Sequence, residues 1–169
     1  MASRRGVGKV AGAAAEGVMK PLRKIVKQGE ELADVAKKVD SKGNPLPPGV
    51  KRLPSGRRPA NSRYAGQQYP MDKLPAKLQT KYPDGVRFSD DGFPDFGPYA
   101  QKTVKFDPPG FAGNHGSDMT EASRKAGIPE APDGYTWHHH QDGHTMQLVP
   151  TDLHDAVRHA GGVAIKKGS

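Results

Sequence analysis

Six of the seven histidines in this 169-residue chain fall in "YTWHHHQDGHTMQLVPTDLHDAVRHAGG", residues 135–162, and three of them, His138, His139 and His140, are consecutive. Imidazole changes its charge near neutral pH and, when neutral, is a common ligand for transition metals. Imidazoles from two structural elements can converge on one divalent ion, while a further imidazole that is not a ligand serves as general base. Together these form an apparatus for phosphodiester hydrolysis. The ion offsets charge on the scissile phosphate and the leaving oxygen, and the base takes a proton from water. The plainer alternative is a surface histidine tract with adventitious metal affinity. Against it, the run lies in a patterned segment beside Trp137, with His154 and His159 further along.

The local pattern supplies the elements to hold such a site. "YTWHHH" reads as a strand. Asp142-Gly143 is a hairpin turn signal, because glycine, and to a lesser degree aspartate, tolerates positive φ. "TMQLV" reads as the returning strand, Pro150 breaks it, and Thr151 is placed as a helix N-cap. Leu153, Ala156, Val157 and Ala160 then fall at i, i+3, i+4 and i+7, one apolar face of a short helix that Gly161-Gly162 ends. The reading is a β-hairpin followed by a helix, with histidines at the end of the first strand and on the helix. His144, after the turn, is expected to be exposed, and His115, in "AGNHGSD", to sit in a loop. Trp137 is expected to anchor the core.

Upstream, Leu22, Ile25, Val26, Leu32, Ala33, Val35, Ala36 and Val39 follow helical spacing after Pro21, with lysines and arginines mostly on the other side. Residues 1–40 are read as a basic amphipathic helical segment that packs on the domain or on a partner. Residues 41–62 are rich in Pro, Gly and basic side chains and read as a linker. From about residue 64 aromatics appear, more suited to a core than to stacking on bases. "YAQKTVKF" alternates as a strand, Pro94 and Pro98 confine the stretch before it to turns or an edge, and "TEASRKAG" reads as a short helix ended by Gly127.

With 34% hydrophobic residues, 21 Gly and 16 Pro, the chain has apolar material for one compact domain of roughly 90 to 110 residues. The absence of cysteine excludes disulfides, thiolate metal sites and cysteine nucleophiles. No apolar run approaches the length of a membrane span. The N-terminal Arg pair precedes a small-residue stretch interrupted by Lys9 and Glu16, which argues against an export signal. The net charge is +8, yet residues 1–60 hold 14 Lys/Arg against 5 Asp/Glu, while residues 61–169 hold 12 against 13. A basic arm on a neutral domain suits a polyanion, most often nucleic acid, or is simply a solvated basic linker.

The pattern "WHHHQDG…TMQLVPTDLHDAVRHAGG" resembles the WHH subgroup of the HNH, or ββα-metal, nuclease superfamily, toxin domains related to the DNase domains of colicins and pyocins. "FPDFGPYA" is similar to a segment that such toxins carry before the hairpin, and the resemblance covers about residues 80 to 163. It implies an α+β fold: a ββα-metal hairpin–helix core with added strands and helices, here preceded by the helical basic N-terminal segment. Residues 63–169 would then be the nuclease domain. It implies His138 and His154 as metal ligands and His139 as the general base that activates water. Gln147 is a loose counterpart of the middle Asn of the HNH name.

The last histidine departs from the family pattern. Position i+4 from His154 is Arg158, and His159 is at i+5. At about 100° per residue, His159 lies about 140° round a regular helix from His154. Either the helix end is distorted and His159 is a third ligand, or two protein ligands suffice and Arg158 contacts the phosphate. The first is favoured. The tandem raises a similar point, since neighbours on a regular strand point to opposite faces and both must see the phosphate.

The leading expectation is a metal-dependent, largely non-specific DNA endonuclease acting as an antibacterial toxin. The competing readings are an RNase toxin of the same fold and a non-catalytic metal- or nucleic-acid-binding module. The cofactor expected is one divalent metal ion, zinc or nickel for three histidines, magnesium or manganese for fewer. The partners expected are DNA, or RNA in the alternative, a cognate immunity protein, and secretion-system or delivery components. The implied location is that of a delivered effector acting in the target-cell cytoplasm.

Overall fold

The computed structural model describes residues 25–32, 39 and 45–166. The chain divides into two compact units, Met1–Lys37 and Lys38–Ser169. In the first, residues 25–32 form helix α1. The remainder of the helical segment expected over 1–40 lies outside the described residues, save Val39, which belongs to the second unit.

The second unit is α+β. Its elements are α2 (Ala76–Lys81), β1 (Arg87–Phe88), β2 (Pro94–Asp95), β3 (Lys102–Lys105), α3 (His115–Lys125), β4 (Tyr135–His139), β5 (Thr145–Pro150), α4 (Thr151–Ala156) and α5 (Gly162–Lys166). β1 and β2 form a two-stranded antiparallel pair, and β3, β5 and β4 form a three-stranded antiparallel sheet in that order. Among the described residues no helix is long and apolar enough to cross a membrane.

The expected hairpin forms, with Trp137 opposite Leu148, His138 opposite Gln147 and His139 opposite Met146. Its turn is wider than a two-residue loop. Gly143 has a φ of +78°, and the Asp142 carboxylate accepts the backbone N–H of His144 at 2.9 Å, that of Thr145 at 2.8 Å and the Thr145 hydroxyl at 2.6 Å.

Period-two alternation divides the sheet's surroundings into two cores. Met146 and Leu148 of β5, with Trp137 of β4, pack against Val104, Phe111 and Ala122. Val149 packs on the opposite side with Phe96, Leu153, Val157 and the aromatics Tyr69, Tyr82 and Phe88. Trp137 is buried, as expected of an anchor, and its indole N–H donates to Ser123 Oγ at 2.9 Å.

Three boundaries differ from expectation. Pro150, not Thr151, stands at the N-cap of α4. α4 ends at Ala156, and Val157 leaves helical geometry at φ −96°, ψ 89°, instead of the helix running on to Gly161. Side chains satisfy the carbonyls at which it ends: that of Val157 lies 2.7 Å from His159 Nδ1, and that of Arg158 accepts the Asn61 amide at 2.7 Å. α3 begins earlier than expected, capped by Asn114, whose side chain accepts from Gly116 N and Ser117 N. His115 is therefore the first residue of a helix and not part of a loop.

The stretch 41–62, expected to be a linker, belongs to the second unit, and its described part is packed within it. Val50, Leu53 and Pro59 are buried, and Leu53 N–H donates to the Arg57 carbonyl at 2.7 Å, closing a tight loop. Proline and glycine preclude a strand ladder, but a short loop needs only buried anchors at its ends, and Leu53 and Pro59 provide them.

Candidate active site

Three imidazoles converge at the end of the hairpin. His138 comes from β4, His154 from the last turn of α4, and His159 from the segment after it. Their ligand-capable nitrogens all lie within 4.8 Å of one another. His138 Nδ1 is 3.4 Å from His154 Nε2 and 3.3 Å from His159 Nε2. Because the helix stops at Ala156, His159 is free of helical phase. The chain folds back along β4, and a Cβ on Gly162 would lie 2.2 Å from the His140 carbonyl oxygen, so the approach requires glycine.

Phe96 is the floor under this cluster. Its fully buried ring sits 5.0 Å from the ring of His138, 5.5 Å from that of His154 and 5.3 Å from that of His159, centroid to centroid. His159 Nδ1 bonds the Val157 carbonyl, and His154 Nδ1 faces Asp155 Oδ1 at 3.4 Å. These partners assign the protons to Nδ1 on both rings and leave each Nε2 lone pair aimed at His138. Burial holds all three imidazoles below their ordinary proton affinity: His138 well below it, His154 below it, and His159 down to about 4. At neutral pH the three are therefore neutral, the state in which imidazole binds a metal.

His139 leaves the strand on the other face. Its Nε2 is 3.1 Å from Asp118 Oδ2, and both side chains are buried. The Asp118 carboxylate is fixed in turn by the backbone N–H groups of Ala112 at 2.9 Å and Gly113 at 2.8 Å. The rings of Phe111 and His115 pack edge-on against His139, with centroids at 4.9 and 5.1 Å. Burial lowers the proton affinity of His139, and the hydrogen bond to Asp118 acts in the opposite direction.

One cleft of about 760 Å³ takes in both faces. Four consecutive β4 residues, Thr136 to His139, line it. β4 is the edge strand of its sheet, so side chains from both faces reach a groove that follows the free edge. This is how the tandem is reconciled with strand alternation. Arg57, Arg58 and Arg158 also line the cleft, and no acidic side chain is among its lining residues. Arg158 is exposed there.

The structure thus brings His138, His139, His154, His159 and Arg158 to one cleft. Gln147 does not line it, although it lies opposite His138 in the sheet and is buried with Oε1 unpartnered. His144 is half-buried, not exposed. His140 accepts the Asp142 N–H at 3.3 Å and stays out of the cleft. Sequence reasoning missed Asp118, His115 and Phe96. Asp118 lies in the first turn of α3, where an acidic residue reads as an ordinary helix-end charge. Phe96 lay within the quoted "FPDFGPYA", with nothing to separate its role from that of its aromatic neighbours.

An antiparallel hairpin feeding a short helix, with imidazoles of both turned into one cleft, defines the HNH-type nuclease class. Residues 129–169 match the WHH family, described as "a nuclease of the HNH/ENDO VII superfamily with conserved WHH". The matched segment is thus that of a WHH-type nuclease, a hydrolytic endonuclease of that superfamily. No curated protein is matched by the chain.

Proposed function

We propose that this protein is a metal-dependent, largely non-specific DNA endonuclease that acts as an antibacterial toxin delivered into the cytoplasm of a target cell. The observation that carries the metal assignment is the convergence of His138 Nδ1, His154 Nε2 and His159 Nε2 on one point above Phe96. Three neutral nitrogen donors fit a borderline transition metal, and zinc or nickel suits the set better than magnesium. When bound, a divalent ion supplies charge to offset that on the scissile phosphate and the leaving oxygen.

The remaining chemistry falls to the chain's own side chains. His139 lies in the same cleft, is neutral at pH 7, and is not one of the three converging imidazoles. It takes the proton from water as the water oxygen bonds to phosphorus, and the bond from phosphorus to the sugar oxygen breaks. Arg158 contacts the phosphate, and Arg57 and Arg58 line the path of a polyanion through a cleft without carboxylates. Backbone contacts of this kind carry no base information, which supports weak sequence preference. The toxin role, the cognate immunity protein and the delivery components rest on the family resemblance alone.

The test is incubation with supercoiled plasmid, with and without EDTA, adding back Mg, Mn, Ni and Zn in turn beside His139→Ala. Metal-dependent nicking lost in the variant is the expected result. Digestion of RNA with plasmid left intact would replace the DNA assignment, and cleavage of neither polymer would sink the enzymatic reading.

A further inference from the structure

We propose that Asp118 is the positioning residue of His139: it holds the imidazole with Nε2–H toward its carboxylate and leaves Nδ1 as the atom that accepts the proton from water. The inference rests on the reading of His139 as general base and adds its orienting partner, which lies on α3, outside the matched segment 129–169.

The geometry is that of a preset pair. His139 Nε2 and Asp118 Oδ2 are 3.1 Å apart, with the side chains 3% and 4% exposed. A carboxylate oxygen accepts and does not donate, so the shared proton resides on Nε2. Asp118 cannot swing away, because Ala112 N–H holds Oδ1 and Gly113 N–H holds Oδ2. Nor can the imidazole flip freely between the edges of Phe111 and His115. With Nε2 occupied, the other nitrogen is Nδ1, which has no hydrogen-bond partner among the described residues. His139 lines the cleft, while Asp118 does not. The carboxylate is therefore placed to act through the imidazole and not on substrate.

An imidazole with either tautomer and a mobile ring would present the wrong nitrogen part of the time. A buried carboxylate removes both freedoms and favours the imidazolium that forms as the proton arrives. The proton that leaves water stays on Nδ1, and the Nε2 proton stays where it was. The rival account is purely structural: Asp118 merely ties the loop at 112–113 to α3.

The experiment combines nitrogen NMR of the histidine rings in the metal-free protein with plasmid cleavage by Asp118→Asn, His139→Ala and the double variant. The expected spectrum shows His139 of the wild type as the Nε2–H tautomer, with that preference lost in Asp118→Asn. The expected kinetics are a fall in kcat of roughly 10- to 100-fold with KM little changed, and a double variant no slower than His139→Ala, as for residues that act as one unit. Wild-type His139 protonated at Nδ1 overturns the proposal even if Asp118→Asn fails to fold. So does a folded Asp118→Asn with wild-type kcat while His139→Ala is inactive. Full activity in His139→Ala is distinguishable from these, because it overturns the base assignment itself and the pair with it.

Discussion

His138 and His139 are adjacent in the chain yet serve opposite faces of one sheet: His138 Nδ1 lies 3.3 Å from His159 Nε2, whereas His139 Nε2 lies 3.1 Å from Asp118 Oδ2. Strand alternation keeps a candidate metal position and a candidate base apart, and the open edge of β4 lets both face one groove. The tandem thus divides two tasks that would interfere if both imidazoles turned to the same ion.

His159 is predicted to be a full ligand in spite of its position after the helix. Zinc or nickel affinity of His159→Ala, measured by calorimetry or chelator competition, should fall by more than the 10- to 100-fold typical of residues that only support a ligand. His140→Ala, whose ring stays with Asp142 outside the cleft, should bind as the wild type does. Unchanged affinity in His159→Ala would leave a site built on two histidines.

Phe96 is predicted to couple stability to metal binding. Its buried ring supports all three imidazoles, so Phe96→Ala should cost about 3–5 kcal/mol in urea unfolding. Phe96→Leu should cost less and still weaken metal affinity, because the floor under the cluster is lost. Wild-type metal affinity in a folded Phe96→Leu would separate the ring from the site.

Acid is predicted to destabilise the metal-free protein. Burial lowers the proton affinity of His138, His154, His159 and His139 in the folded state. Below pH 6.5, the ordinary histidine value, the unfolded chain takes up protons that the folded chain refuses. Their contribution is therefore complete above that pH and is lost as pH falls toward 4, where His159 protonates in place. Thermal melts in EDTA should show Tm dropping across this interval, and His138→Gln should make the drop shallower. A flat profile would contradict the burial of neutral imidazoles.

Gly162 is predicted to be intolerant of any side chain. A Cβ there would meet the His140 carbonyl oxygen at 2.2 Å and Phe111 Cζ at 2.7 Å. Gly162→Ala should cost about 1–3 kcal/mol and push the return segment, with His159, away from β4. Melting and metal titration should therefore fail together, and a variant with normal values for both would show that this approach is dispensable.

Much of the site was legible in residue types and spacing. The tandem beside Trp137, the turn signal at Asp142-Gly143 and the apolar repeat through Leu153 and Val157 specify a hairpin and a following helix, because side-chain period and turn chemistry are local properties. The Trp-His-His run with His154 was enough to point to the nuclease class. Where the helix stops was not legible. That depends on Asn61 and the His159 ring capturing two carbonyls, and Asn61 lies 97 residues from the carbonyl it holds. The stretch before residue 63 reads as a linker, because composition reports that it cannot form a ladder but not that Leu53 and Pro59 are buried.

Residue types and their spacing set the chemistry on offer: six clustered histidines, no thiols, a hairpin followed by a helix, and a basic first third. Which imidazoles meet is a matter of packing. His159 joins His138 and His154 because the chain leaves the helix early, and Asp118 meets His139 across 21 residues because α3 packs against the face of β4 that carries Trp137. Alternation and periodicity fix the direction of a side chain relative to its own element, whereas distances between elements are set by packing, and this site is made of such distances.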